Sequence, residues 1–304
     1  MTDVTHLIGA ADGTGRLEIT ETLDTDTPYR RWVPTILVPP TLAAARERPV
    51  LVIVNQKGGT GKTTSTVELG AALAAVGLAV RIIDADPQEG SASDWLRTAA
   101  DHGTLRNVFL DEVSLDAVTY ETGCPDLDIV PSDLTLTQVE YSRPVGAETA
   151  LAAAIAASHP YDVTLIDCTP SLGLLTIAAL GAATDAVIPL RAGGLDLTAV
   201  TSLNRTIRQV REKINADLRV RAVLLTAVQR SNLTRDILVQ LVQDYPDAII
   251  APIRHSVRAA EAPLSGTPIR DYAPESTAAG DYAQVAPLIV PQADGREISR
   301  EAGE

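Results

Sequence analysis

The sequence is poor in aromatic residues, with one phenylalanine, two tryptophans and seven tyrosines among 304 residues. Alanine, leucine, valine and isoleucine must therefore fill the interior, and a hydrophobic share of 45% is enough for a sizeable core. Cysteine is scarcer still. Cys124 and Cys168 alone exclude a disulfide framework and fit a reducing cytosol. No run approaches the roughly 20 apolar residues of a membrane span, since Leu151 to Ser158 is apolar but short. The start, Met1 to Leu7, lacks a basic stretch followed by an apolar one, so no secretory signal is expected. Positive charge is also in short supply. The 25 basic and 39 acidic residues leave a net charge of −14, so any contact with DNA would need a local basic patch.

What is present centres on one stretch. An apolar strand, Pro49 to Asn55, runs into Gln56-Lys57-Gly58-Gly59-Thr60-Gly61-Lys62-Thr63-Thr64, and a helix is predicted over Thr63 to Val76. A strand, a glycine-rich loop and a helix N-terminus together make a site for anions. The glycines permit backbone angles closed to other residues and let phosphate oxygens approach. Lys62 can reach β- and γ-phosphates, and the Thr63 hydroxyl can ligate Mg²⁺. The strict phosphate-loop pattern requires glycine at position 56, where this chain has Gln56, and a second lysine, Lys57, precedes the glycine pair.

Two more boxes follow in order. Ile82-Ile83-Asp84-Ala85-Asp86-Pro87-Gln88 ends a strand begun near Leu78, and alternation along a strand puts Asp84 and Asp86 on one side. Tyr161 to Asp167 is an apolar strand ending in a carboxylate, where a phosphate-loop protein holds Mg²⁺. Cys168-Thr169-Pro170-Ser171-Leu172-Gly173 comes next. Further strands are predicted at Leu127 to Pro131, Asp185 to Leu190, Leu218 to Thr226 and Ala248 to Pro252. Helices are predicted at Ser91 to Ala99, Ser132 to Tyr141, Ala147 to Ala157, Leu174 to Ala183, Leu195 to Ala216 and onward from Ser231 or Asn232 to Tyr245. Residues 103–126 give no clear pattern.

Together these boxes resemble the deviant Walker A ATPases of the ParA/MinD group, and the ParA-type partition ATPases in particular. The resemblance runs from about Pro49 to Leu288 and takes in Val257 to Pro263, Gly266 to Ile269 and Tyr272 to Ser276. Thr169 stands where the family usually has the first of two prolines. The resemblance implies an α/β fold: a mostly parallel twisted sheet with helices on both faces, the strands from Leu78 and Tyr161 flanking or neighbouring that from Pro49. It implies ATP and Mg²⁺ as cofactors, with phosphates held by Gly58, Gly59, Thr60, Gly61, Lys62, Thr63 and Thr64. The ion would sit on Thr63, with Asp84 and Asp167 acting through water. Asp86 would orient the attacking water, and Lys57 would reach the nucleotide of a second subunit. It further implies a homodimer formed on ATP binding, non-specific DNA, a ParB-type centromere-binding partner, no membrane, and a cytoplasmic, nucleoid-associated location.

For DNA, Arg205, Arg208, Arg211, Lys213, Arg219 and Arg221 make a basic region, followed by Arg230, Arg235, Arg254 and Arg258. Arg230, Arg254 and Arg258 lie in or near the family's C-terminal segment and are the first candidates, with Arg205, Arg208 and Arg211 behind them. Residues 1–48 read as an extension, residues 49–290 as the ATPase domain and 291–304 as a polar tail. A short strand is expected at Arg16 to Thr20 and a helical turn or two at Thr41 to Arg46. A MinD-like positioning ATPase would need a basic amphipathic C-terminal helix, whereas Gln292 to Glu297 is acidic and lacks an apolar stripe. An iron–sulfur reductase would need two cysteines meeting at a dimer axis. A nucleotide-gated regulator on the same fold is the remaining alternative.

Overall fold

A computed structural model of the chain describes residues 22–23, 32–194 and 197–290. Two short strands, β1 (Thr22–Leu23) and β2 (Trp32–Val33), pair antiparallel. The main sheet is built from β3 (Val50–Ile53), β4 (Val80–Ala85), β5 (Tyr120–Glu121), β6 (Leu127–Val130), β7 (Val163–Cys168), β8 (Asp185–Arg191), β9 (Arg219–Val228) and β10 (Ile249–Arg254). Its order is β10-β9-β8-β3-β7-β4-β6-β5. Every pairing is parallel except that of β5 with β6.

The central strands are apolar throughout because both faces are covered. Val50 and Val52 look into one core layer, with Leu175, Leu203 and Ile237 from three covering helices. Leu51 and Ile53 look into the other, with Leu69, Leu73 and Tyr282. The helix after the phosphate loop, Lys62–Ala74, and the last helix, Thr277–Ile289, supply that second layer.

Three expectations are corrected. β7 neighbours β3, but β4 does not; it lies on the far side of β7. This order puts Asp167 between two strand ends, in register with Ile53 on one side and Asp84 on the other. Residues 41–46 contain no helix. Two of their carbonyls accept from arginines: Arg221 Nη1 donates to Ala43 O, and Arg219 Nη1 to Ala44 O at 3.3 Å. The expected helix from Ser91 stops at Trp95, where the Trp95 indole donates to Thr267 O at 2.9 Å and Arg97 turns to a positive φ of 49°. The strand expected at Arg16 to Thr20 lies outside the described residues. Residues 103–126 resolve into a helix Leu105–Leu110, opened by a Thr104–Asn107 capping box, and the edge strand β5. Ser231 rather than Asn232 caps the helix Asn232–Asp244, accepting from Thr234 N at 3.1 Å.

The stretch before β3 packs on the domain. Leu37 and Ile250 exchange backbone hydrogen bonds, both 2.9 Å, on the edge strand β10. Arg221 is 3% exposed and joins this stretch to the last helix, donating to Ile289 O at 3.0 Å and Leu288 O at 3.1 Å as well as to Ala43 O. It is therefore an internal clamp, not part of a surface basic patch. Arg221→Ala leaves three carbonyls without their donor, Ile289 O buried and Leu288 O and Ala43 O partly so; an unsatisfied buried group costs about 1–3 kcal/mol. The variant should lose at least about 2 kcal/mol in urea unfolding; an unchanged midpoint would show that the clamp carries no load.

Candidate nucleotide site

At the carboxyl end of β3 the chain turns through the glycine loop into the helix Lys62–Ala74. Gly61 caps that helix at φ 91°, ψ 28°, a left-handed conformation that favours glycine. Asn55 and strands far away in sequence brace the loop. Asn55 donates to Pro189 O at 2.6 Å and accepts from Lys57 N at 3.0 Å. The Thr226 hydroxyl, on β9, donates to Thr60 O at 2.8 Å, and Arg191, ending β8, reaches Gly59 O at 3.5 Å. Neither Asn55, Thr226 nor Arg191 was legible as a site residue, because nothing local ties β8 or β9 to the loop.

Lys62 is buried and its Nζ reaches back to Lys57 O at 3.4 Å. Lys57 is exposed at the loop's outer turn, as are Gly58 and Gly59. Thr63 and Thr64 lie in the first helical turn, half-buried.

Behind the loop stand the carboxylates. Asp84 and Asp167 are paired across β4 and β7, and both are wholly buried. Asp167 Oδ1 accepts from the Thr66 hydroxyl at 3.1 Å. Its Oδ2 is buried with no hydrogen-bond partner among the described residues. Both oxygens of Asp84 are committed, Oδ1 to Asp86 N at 3.0 Å and Oδ2 to Ser93 N at 2.8 Å and the Ser93 hydroxyl. Asp86 Oδ1 accepts from Gln88 N at 3.1 Å. Burial, reinforced by the Asp84 charge, pushes the Asp167 carboxyl up to about 8. Burial alone dominates at Asp84, pushed up to about 6. Asp86 is raised by burial, against which the Gln88 amide, the Lys62 ammonium and the Thr169 hydroxyl act.

These residues fit a hydrated divalent cation. Two buried carboxylates that destabilise each other, one with an unpartnered oxygen, gain from a positive charge beside them. Among the described residues no three His, Cys, Asp or Glu side chains form a closed cage. The donor set suits instead an ion that keeps its waters and takes phosphate oxygens. Cys168 is buried in the core and Cys124 is half-buried. No helix among the described residues is long and apolar enough to cross a membrane.

A family model described as an AAA domain matches residues 48–220. The chromosome partitioning protein ParA of Caulobacter vibrioides is 38% identical over 264 residues, which cover 83% of this chain and 96% of that protein. The chain belongs to the ParA family. The sporulation initiation inhibitor protein Soj of Bacillus subtilis is 35% identical over 243 residues, 78% of this chain and 96% of its own. Among solved structures, cobyrinic acid a,c-diamide synthase from Mycobacterium smegmatis with bound ADP and magnesium is 31% identical with a TM-score of 0.67, covering 79% of this chain and 92% of that one. The septum site-determining protein MinD from Pyrococcus horikoshii, complexed with Mg-ADP, is 25% identical with a TM-score of 0.67, covering 80% and 96%. The mostly parallel sheet with helices on both faces is thus the phosphate-loop fold of this ParA-type group.

The arginines divide. Arg208 and Arg211 line a cavity of about 540 Å³ with Arg219 and Arg221, at the amino ends of β8 and β9. That is the opposite end of the sheet from the phosphate loop. Arg205 is exposed on the same helix, Leu197–Lys213. Arg230 is exposed just past the carboxyl end of β9, on the phosphate-loop side. Arg254 is held by Asp281, with Nη2 to Oδ1 at 2.6 Å. Arg258 is exposed and paired to Glu261 at 2.6 Å.

An unfolded aspartate titrates near pH 4, so between about pH 4 and about 8 the ligand-free folded chain holds a proton on Asp167 that the unfolded chain lacks. Stability from this group is full below that window and falls as pH rises through it. Asp167→Asn removes the titration. Without nucleotide and with chelator, the variant should melt several degrees above the parent at pH 8, the gap closing toward pH 5. A variant that melts below the parent at both pH values would overturn this account of the buried pair.

Proposed function

We propose that this ParA-family protein is an ATP-dependent DNA partition ATPase, with residues 49–290 as its ATPase domain and 1–48 and 291–304 as accessory segments. ATP binding joins two subunits, the pair holds DNA without sequence preference, and slow hydrolysis, stimulated by a ParB-type partner, releases it. The best support is one convergence: the glycine loop with Lys62, Asp86 and Asp167 meet at the carboxyl ends of three parallel strands, in a chain 38% identical to a chromosome partitioning protein. The mycobacterial neighbour has been solved with an ATP analogue and magnesium, which favours ATP and Mg²⁺ here.

In this reading the amides of Gly58 to Thr64 and the Lys62 ammonium hold the phosphates. Thr63 and Asp167 would hold Mg²⁺, with Asp84 behind them adding charge and ordering the loop that carries Asp86. The ion would neutralise charge developing on the phosphates. Asp86 orients water for in-line attack. Lys57, at the exposed outer turn, reaches the partner subunit's nucleotide and acts there as an arginine finger does. The location is cytoplasmic and nucleoid-associated. For DNA, Arg230 and Arg258 are the foremost contacts, because both are exposed near the end of the sheet that carries the nucleotide. Arg254 acts through its pair with Asp281, and Arg205, Arg208 and Arg211 remain secondary. With a net charge of −14, one subunit is repelled by DNA outside its patch, so retention needs the doubled patch of a dimer.

The decisive experiment measures ATP turnover with and without DNA, together with the dimer fraction by light scattering. Asp86→Ala should bind ATP and persist as a dimer while turnover falls about 100-fold or more. Lys57→Ala should keep most ATP affinity and lose turnover, whereas Lys62→Ala should lose affinity itself. Equal affinity loss in the two lysine variants would count against the cross-subunit role.

Retention of DNA should require ATP and fall steeply with salt. Arg230→Glu should abolish it while leaving ATP-driven dimerisation intact, and Arg230→Ala should flatten the salt slope by about one unit. An ATP-bound dimer that retains no DNA even at low salt would replace the partition role with protein positioning on the same fold.

A further inference from the structure

The loop that follows Asp167 is held at both ends, and the far anchor comes from a different helix. The helix Leu174–Ala182 starts at Gly173, in extended conformation, with no side chain of its own to cap it. Its first-turn N–H groups have no acceptors within the helix. Glu140, on the helix Thr137–Ser142, supplies them. Leu174 N donates to Oε2 at 2.9 Å and Leu175 N to Oε1 at 3.1 Å. A carboxylate at the positive end of a helix makes charge-assisted bonds.

Gly173 is fitted to this contact. A Cβ at that position would lie 2.5 Å from Glu140 Oε1 and 2.8 Å from Oε2, closer than any side chain tolerates, although its φ of −79° suits any residue. From the helix, the Thr176 hydroxyl donates back to Ser171 O in the loop at 2.7 Å. At the near end, Thr169 is 6% exposed and sets its hydroxyl against Asp86. The stretch 169–173 is short, so a shift of the helix start is passed to Thr169, whereas Asp167 is held in the sheet between β3 and β4.

We infer that Glu140 is a positioning residue for hydrolysis: by clamping the start of Leu174–Ala182 it fixes the loop 169–173, and through that loop the placement of Thr169 against Asp86, while the sheet itself holds Asp167. This rests on the ATPase reading above. Glu140 bonds the backbone amides of Leu174 and Leu175 and acts through the backbone it holds. The same clamp has a built-in control, because Gly173→Ala dislodges the carboxylate without removing it.

The test compares the full-length chain with Glu140→Ala, Gly173→Ala and the double variant, recording kcat and KM for ATP, ADP affinity and melting temperature. Each single variant should lose kcat by about tenfold to a hundredfold, the scale set by a small misplacement of reacting groups. ADP affinity should stay within about twofold, since the phosphate cradle is untouched. In the double variant the new Cβ enters the space the carboxylate vacates, so kcat should fall no further than in Glu140→Ala alone. Single variants that melt lower yet keep the parental kcat would reduce Glu140 to a structural cap, and multiplicative losses in the double variant would show that the residues act separately. Either result overturns the inference. Should Glu140→Ala fail to fold, Gly173→Ala carries the test by its kcat-against-affinity split. A parent chain that binds ATP but never turns it over would overturn the ATPase reading as well, which separates the two failures.

Discussion

Two carboxylates buried side by side on adjacent parallel strands are the constraint on which the rest of this structure turns. Asp84 and Asp167 sit in register across β4 and β7, both sealed from solvent. Like charges so placed resist ionisation, and burial alone already favours the protonated form. The fold tolerates the pair by dressing one member in donors and leaving the other, equally buried, only partly bonded behind the loop. Asp84 is saturated by Asp86 and Ser93; Asp167 keeps an oxygen without a hydrogen-bond partner among the described residues. The strand order follows the same need. With β7 placed between β3 and β4, one carboxylate can face the phosphate loop while its neighbour shapes the loop that carries Asp86.

Much of the phosphate site could be read in the chain because it is local. Residues 57–64 lie between a strand and the helix they open, and hydrogen bonding there follows from short-range geometry. Asp86 and Asp167 were likewise marked by position, each at or just past the end of an apolar strand. What could not be read is whatever the topology brings from afar. Thr226 and Asn55 brace the loop through β9 and β8, yet a threonine ending a strand and an asparagine before a glycine loop carry no mark of it. Glu140 reads as one more acid on a short helix until the helix Leu174–Ala182 is laid beside it.

The arginines make the same point in reverse. In sequence, Arg219, Arg221, Arg230 and Arg254 are equal positive charges. In space, Arg221 is fastened to three carbonyls, Arg219 to Asp185 and Arg254 to Asp281. Charge counting overstates the surface available to an anionic partner whenever guanidinium groups are spent on holding the chain together. The stretch Thr41 to Arg46 is held by the same groups, Arg221 on Ala43 O and Arg219 on Ala44 O.

The Leu37–Ile250 bridge has a consequence for how copies of the chain can meet. An outermost strand with bare amides and carbonyls invites strand-to-strand growth into open fibres. Here the chain's own leading stretch takes that position near the amino end of β10. A second copy cannot extend the sheet there without first peeling the stretch away. Lateral growth along that rim is blocked at its start, and encounters between copies are turned toward the loops at the strand ends.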